Sequence, residues 1–346
     1  MFNKPTRINL ALQGGGSHGA FTWGVIKRLS EESLIEIEGI SGTSSGAVNG
    51  SLFAYGLSNP ENSPCAPLDF FWTKLGNLFS SFFVPGEDFS NFSFMKPPEN
   101  NYALDMFLNM TQNFTPHMFN PNDMNPFRDL LEESINFEKL RNNKNIKLFV
   151  AATNVKNSRL KVFKRDELTV KHILASACLP SLHHAITIDG ETYWDGGFTG
   201  NPALYPLVFN CQSSDLLIVL LQPLIRESIP ESAKDVQKRF YEIAFHANFL
   251  REMRAISFSK QIIKKSSIIK GKLEKYLDNL RIHIIYADED CINMENKSPY
   301  DASSEMLNQL RDAGYRCTDK WLQENLKFIG KKSTTPIDTF SDYPIE

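Results

Sequence analysis

The chain of 346 residues carries 37 Lys and Arg against 40 Asp and Glu, a formal net charge of −3 that gives no overall attraction to nucleic acid. With 42% hydrophobic and 22% charged residues it has the composition of a soluble globular protein, built as one large domain or two small ones. No uninterrupted run approaches the ~18 apolar residues of a membrane span, and Met1–Arg7 leads straight into the first strand without room for a signal peptide, so a cytoplasmic protein is expected.

Ile8–Leu12 reads as a short buried strand. It runs into Gly14-Gly15-Gly16-Ser17-His18-Gly19, and Ala20–Glu32 follows with helical periodicity through Phe21, Val25 and Leu29. Consecutive glycines before a helix leave backbone N–H groups free to converge, a nest for a phosphate or for the oxyanion of acyl transfer. Gly14, Gly16 and Gly19 also spell GxGxxG, and Glu36 or Glu38 would serve as the distal acid of a dinucleotide site. The next strand, Leu34–Ile40, is followed by Gly42-Thr43-Ser44-Ser45-Gly46 and an Ala- and Leu-rich helix over Ser45–Leu57. A serine with glycines at minus two and plus two, between strand and helix, is a nucleophile elbow. Its turn is strained, and small neighbours are needed where strand and helix cross. A dinucleotide site leaves that serine unexplained, whereas acyl transfer needs both the nest and the nucleophile.

A serine hydroxyl needs a base. None of the seven histidines, His18, His117, His172, His183, His184, His246 and His283, has surroundings that mark a triad member. His18 lies within the glycine loop and reads as an orienting or packing residue. Asp195 is the better candidate. Ala185–Trp194 resembles a hairpin with an Asp189-Gly190 turn, which sets Asp195 at a strand end before Gly196 and Gly197.

The glycine loop, the Ser44 elbow and Asp195-Gly196-Gly197, in this order and spacing, resemble the three signatures of the patatin-like phospholipases. The likeness runs on through Ala151-Ala152-Thr153-Asn154-Val155, Ala175–Pro180 and Asn201-Pro202-Ala203-Leu204, and more weakly to about Ser333. It implies a three-layer α/β/α fold with a central, mostly parallel sheet and a helical C-terminal portion. It further implies a Ser-Asp dyad, Ser44 as nucleophile and Asp195 as general base, acting through an acyl-enzyme without metal or cofactor. The amides of Gly14, Gly15 and Gly16 would form the oxyanion hole, with Gly19, Gly42, Gly46, Gly196 and Gly197 supporting the motifs. Many relatives carry Arg or Lys where this chain has His18. A carboxylate of pKa ~4 is a weak base at pH 7, so burial of Asp195 is expected to raise it. The substrate implied is a phospholipid or another fatty-acyl ester; no protein activator is assigned. The rival reading is a catalytically silent protein that binds lipid or a partner on the same fold. A different serine hydrolase would need the order Ser, acid, His.

The catalytic core is expected over 8–210, with 59–101 as an aromatic-rich insertion or lid containing Phe70, Phe71, Trp72, Phe79, Phe82, Phe83, Phe89, Phe92 and Phe94, read either as a satellite cluster packed on the core or as a rim that receives acyl chains or touches a bilayer. Residues 102–140 look helical in pieces, broken near Pro116, Pro121 and Pro126, and further strands are expected over Lys147–Thr153, Arg159–Phe163 and Asp215–Gln222. Residues 211–330 supply the rest of the sheet and C-terminal helices: a basic helical stretch over Gln237–Leu280, a strand over Arg281–Ala287 and a helix over Ser303–Phe328. The basic run Arg251–Lys275 reads as a solvated helix face or, with the aromatic run, as a peripheral membrane contact. Residues 331–346 read as a loose polar tail. The five scattered cysteines lack metal-ligand spacing, so a reducing compartment and no zinc site are the default.

Overall fold

The computed structural model describes residues 4–59, 61–83, 111, 114–225, 229–265, 271–287 and 298–340. Strand β1 (Thr6–Leu12) leads to α1 (Gly19–Ser30), β2 (Ile35–Thr43), α2 (Ser45–Gly56) and α3 (Ala66–Phe83). Three short helices follow, α4 (Pro116–Phe119), α5 (Pro126–Ser134) and α6 (Phe137–Asn142). Pro116 and Pro126 each open one, where a missing N–H costs nothing. Then come β3 (Lys147–Asn154), β4 (Leu160–Lys164), α7 (Val170–Ser176), the hairpin β5 (Ile186–Ile188) and β6 (Glu191–Asp195), and α8 (Tyr205–Asn210). Strand β7 (Asp215–Leu220), α9 (Ala233–Lys265), α10 (Lys272–Asn279), β8 (Arg281–Tyr286) and α11 (Ser304–Asn325) follow among the described residues. The hairpin turn is the expected one: Asp189 and Gly190 both have positive φ, 49° and 79°.

The strands form one eight-stranded sheet in the order β5-β6-β3-β2-β1-β7-β8, with β4 also on β3. β3, β2, β1, β7 and β8 run parallel, and the hairpin and β4 are antiparallel. Strand alternation sorts side chains into two cores. Ile8, Leu10, Leu12, Leu217 and Val219 join Phe21, Leu52, Phe71 and Leu310 on one face. Ala11, Leu216, Ile218 and Leu220 join Leu207, Phe249 and Met253 on the other. Helices therefore cover both faces of a mostly parallel sheet. The 210/211 boundary falls within that continuous sheet. α1 and α11 approach closely, because a Cβ on Gly24 would strike the Arg311 carbonyl and one on Gly314 the Phe21 carbonyl.

Phe71 and Trp72 of α3 are core residues, Trp72 stacked on Trp23, so this part of the aromatic run packs on the core, the first of its two expected roles; Phe89, Phe92 and Phe94 lie outside the described residues. Other expectations are corrected. Lys260 is buried, not solvated. Its ammonium donates to the carbonyls of Leu277, Asp278 and Leu280 at 2.8, 2.9 and 2.8 Å, closing the end of α10, and burial lowers its pKa to about 8. Residues 331–340 are docked: Thr334 and Thr335 donate to the Ile282 carbonyl, and Phe340 packs edge-on against Phe249. Cys65, Cys178 and Cys211 are buried free thiols, whereas Cys317 is disulfide-bonded. No helix among the described residues is long and apolar enough to cross a membrane.

Candidate active site

Register brings the two signature strands together. β3 pairs with β4 along one edge; along its other edge Lys147–Ala151 pair with β2 and Ala152–Asn154 with β6. β2 and β6 therefore lie end to end on that edge and run toward each other. Thr43 is opposite Ala151 and Asp195 opposite Ala152, so their C-terminal ends meet. The residue after Thr43 is Ser44.

Ser44 turns the chain from β2 into α2 with φ 53° and ψ −125°, a conformation that L-residues rarely adopt and that marks stored strain. The turn closes because nothing protrudes at Gly42 or Gly46: a Cβ on the first would strike the Gly46 carbonyl, and on the second the Leu12 carbonyl. The Ser44 amide donates to Ser176 Oγ at 2.9 Å, and α2 points its positive N-terminal end at this turn.

Asp195 is 1% exposed. Its amide donates to the Cys178 carbonyl and its carbonyl accepts from Thr153 Oγ1, both at 2.8 Å, so the backbone is pinned on two sides. Oδ1 accepts from the Gly197 amide at 2.7 Å. Oδ2 has no partner of normal hydrogen-bond geometry. The Ser44 hydroxyl lies outside that geometry but near enough to favour the carboxylate form. Burial outweighs both and raises the Asp195 pKa to about 6; no histidine figures among the groups acting on it. A Cβ on Gly196 would strike the Ala151 carbonyl, and Gly197 lies against the Phe245 ring.

The glycine loop lies against the elbow, since a Cβ on Gly14 would sit 2.6 Å from Ser44 Cβ. Its three amides are not equivalent, which corrects the expectation of a three-donor nest. Gly14 N–H donates to Asn201 Oδ1 at 2.7 Å, and Asn201 Nδ2 returns a bond to the Gly14 carbonyl at 3.2 Å. Gly15 N–H donates to Ser45 Oγ at 3.1 Å, a bond that a stronger acceptor would displace. Gly16, at φ 60°, has no acceptor for its N–H among the described residues. The loop is held from outside by the Pro299 carbonyl, which accepts from Ser17 N–H at 2.9 Å. Gly19 gives α1 its close approach to Ser45, and His18 is buried. The acids of the dinucleotide reading are engaged elsewhere, Glu36 with Arg7 and Glu38 with Lys147 and the amides of Gln212 and Ser213.

Asn201, Ser176 and Phe245 are site residues that motif reasoning missed. Asn201 and Ser176 fall in segments that carry the family likeness, yet only the folded chain sets one against Gly14 and the other against Ser44. Phe245 has no sequence signal apart from its helix.

A family model described as Patatin-like phospholipase matches residues 10–208. No curated protein matches the sequence. Among solved structures, the chain is similar to VipD from Legionella pneumophila at 14% identity and TM-score 0.39, covering 92% of this chain and 67% of that one. It is also similar to the type III effector ExoU at 17% identity and TM-score 0.32, covering 93% and 53%. The ExoU–SpcU complex from Pseudomonas aeruginosa matches at 14% identity and TM-score 0.37, covering 94% and 52%, so the chain spans about half the length of ExoU.

Proposed function

Because the chain belongs to the patatin-like phospholipase family, a family of lipid hydrolases, we propose that it cleaves fatty-acyl esters of membrane lipids with Ser44 as nucleophile and Asp195 as general base. The observation that carries this reading is the unpartnered Oδ2 of a buried Asp195 beside the strained Ser44. Ser44 Oγ attacks the acyl carbonyl carbon while its proton passes to Asp195 Oδ2. The oxyanion is held by Gly16 N–H and by Gly15 N–H once released from Ser45. Collapse breaks the ester C–O bond, and the leaving alkoxide takes the proton from Asp195. Water then attacks the acyl-enzyme, giving its proton to Asp195; the fatty acid departs and Ser44 Oγ recovers that proton. The raised pKa strengthens the base yet leaves it mostly ionised at neutral pH.

A fluorophosphonate probe is expected to label the wild-type chain on Ser44 alone, as read by peptide mass spectrometry, and the chain to release fatty acid from phosphatidylcholine vesicles. Labelling that persists in Ser44→Ala, or labelling without any release, would sink the reading in its first or second half.

Asn201 is assigned a positioning role through Gly14. Asn201→Ala is expected to lower kcat on a soluble ester about a hundredfold, the scale of one lost oxyanion donor, with KM little changed. Gln at this position, longer by one methylene, restores the groups but not their placement, so it is expected to recover fold stability more than kcat. A proportional loss of stability and kcat in both variants would reduce Asn201 to a scaffold residue.

A further inference from the structure

Helix α9 is apolar on two opposite sides. Its inner side buries Phe249, Met253 and Ile256 in the core. Its outer side leaves Val236, Phe240, Ile243, Phe258 and Ile262 between 48% and 68% exposed. Steps of three and four residues carry these through Ala247, Arg251 and Arg254 as one stripe. From Val236 to Ile262 the stripe follows about 40 Å of helix. A surface helix with one side in the core normally turns charge to water; this one turns large apolar side chains.

Asp235 is an exposed acid at the N-terminal end of the helix, but over the C-terminal half of the stripe the exposed charges are cationic. Arg251, Arg254, Lys264 and Lys265 are exposed. The one acid within 251–265, Glu252, is turned inward, where it accepts from the amides of Leu204 and Tyr205, both at 2.9 Å. The stripe is also continuous with the candidate site. Phe198, three residues past Asp195, packs edge-on against Phe245 with centroids 5.1 Å apart. Phe245 meets Tyr241 at 6.4 Å, and Tyr241 meets Phe240 of the stripe at 5.8 Å. Asn248 Nδ2 ties the helix to the Phe198 carbonyl at 2.7 Å.

We propose that the outer face of α9 docks the protein on an anionic bilayer, basic residues meeting headgroups and the apolar stripe entering the acyl boundary beside the path to Ser44. The choice of occupant rests on the reading of the Ser44 site as a lipid hydrolase. A face both apolar and cationic suits the bilayer interface, where one side chain type is buried and the other meets phosphate. This places the apolar component on α9 and not on Phe71 and Trp72, which the core occupies.

Binding is measured with the Ser44→Ala chain, so that no hydrolysis occurs, by co-sedimentation with vesicles of phosphatidylcholine alone or mixed with phosphatidylserine. Ile243→Ser, Phe258→Ser and Ile262→Ser are each expected to weaken binding about tenfold on both vesicle types. Arg251→Gln and Lys264→Gln are each expected to weaken it about fivefold, on the mixed vesicles only. In the Ser44 background the same five substitutions are expected to lower hydrolysis of vesicle lipid and leave a short-chain nitrophenyl ester unaffected. Unchanged helicity by circular dichroism excludes unfolding. Binding insensitive to the apolar substitutions overturns the proposal. So does a dimer by light scattering that these substitutions dissociate, which would make a second copy the occupant. Substitution-sensitive binding without hydrolysis of any ester keeps the docking face and removes the hydrolase reading; turnover of vesicle lipid insensitive to all five does the reverse.

Discussion

Ser44→Ala and Asp195→Asn are each expected to lower hydrolysis of a soluble ester by about four orders of magnitude, and the double variant to be no slower than either. The non-additivity is the informative part. With Ser44 gone, Asp195 Oδ2 has no proton to accept; with the carboxylate gone, Ser44 attacks as an un-ionised alcohol with nowhere to send its proton. Each substitution removes the same step, so the second has nothing left to remove. The residual rate over water belongs to the glycine loop and to α2, whose dipole still faces the oxyanion. Both substitutions keep the local shape: Ala suits the tight elbow, and Asn retains an oxygen for the Gly197 amide, which donates to Oδ1 at 2.7 Å. Kinetics on the four-member cycle decide the matter. Effects that add in free energy would mean that Ser44 and Asp195 act separately, and an Asp195→Asn variant within tenfold of wild type would return the search for a base to the histidines.

Much of this arrangement was legible before folding, because glycine spacing and the Asp189-Gly190 turn are local signals. Strands β1, β2, β3, β7 and β8 are dense in buried aliphatic residues, and each stands within a few residues of its expected position. What the sequence could not carry was pairing. That β2 and β6 share one edge of β3, end to end, depends on Ala151 and Ala152 taking different partners, and no periodicity encodes it. The Asn201–Gly14 bond spans 187 residues and escapes local reading for the same reason. The basic stretch misled in a different way. Lys260 counts as a surface charge in any composition window, yet it faces inward, because three carbonyls at the end of α10 need a donor. Lysines drew attention from the apolar residues interleaved with them, and only exposure separates the inner row from the outer. The polarity of the tail predicts a loose segment, although Ser333 Oγ accepts from Ile282 N–H and thereby satisfies the outer strand β8.

Asp195→Asn is also expected to make the protein more stable at neutral pH while it destroys activity. Burial raises the Asp195 pKa to about 6 from 3.8, so between these values the folded state holds a proton that the unfolded chain has released. Stability then falls as pH rises through that window, since unfolding releases protons. Below it the carboxyl is neutral in both states and costs nothing; above it the ionised group is kept in an apolar site at a cost of about 3 kcal/mol. Asn carries no charge at any pH. The variant should therefore exceed wild type by roughly that amount at pH 7.5, with the difference closing between pH 6 and pH 4. The same group sets the acid limb of catalysis: kcat/KM on a soluble ester should climb with pH and level off above about 6, where Asp195 is free to accept the Ser44 proton. Urea unfolding of both proteins at several pH values measures the first effect and a pH–rate profile the second. An Asn variant no more stable than wild type at pH 7.5 would mean that the folded protein already compensates the charge, and the rate profile should then lose its inflection near 6. The two measurements bear on one carboxylate, so the pH at which stability stops falling and the pH at which activity stops rising are expected to coincide.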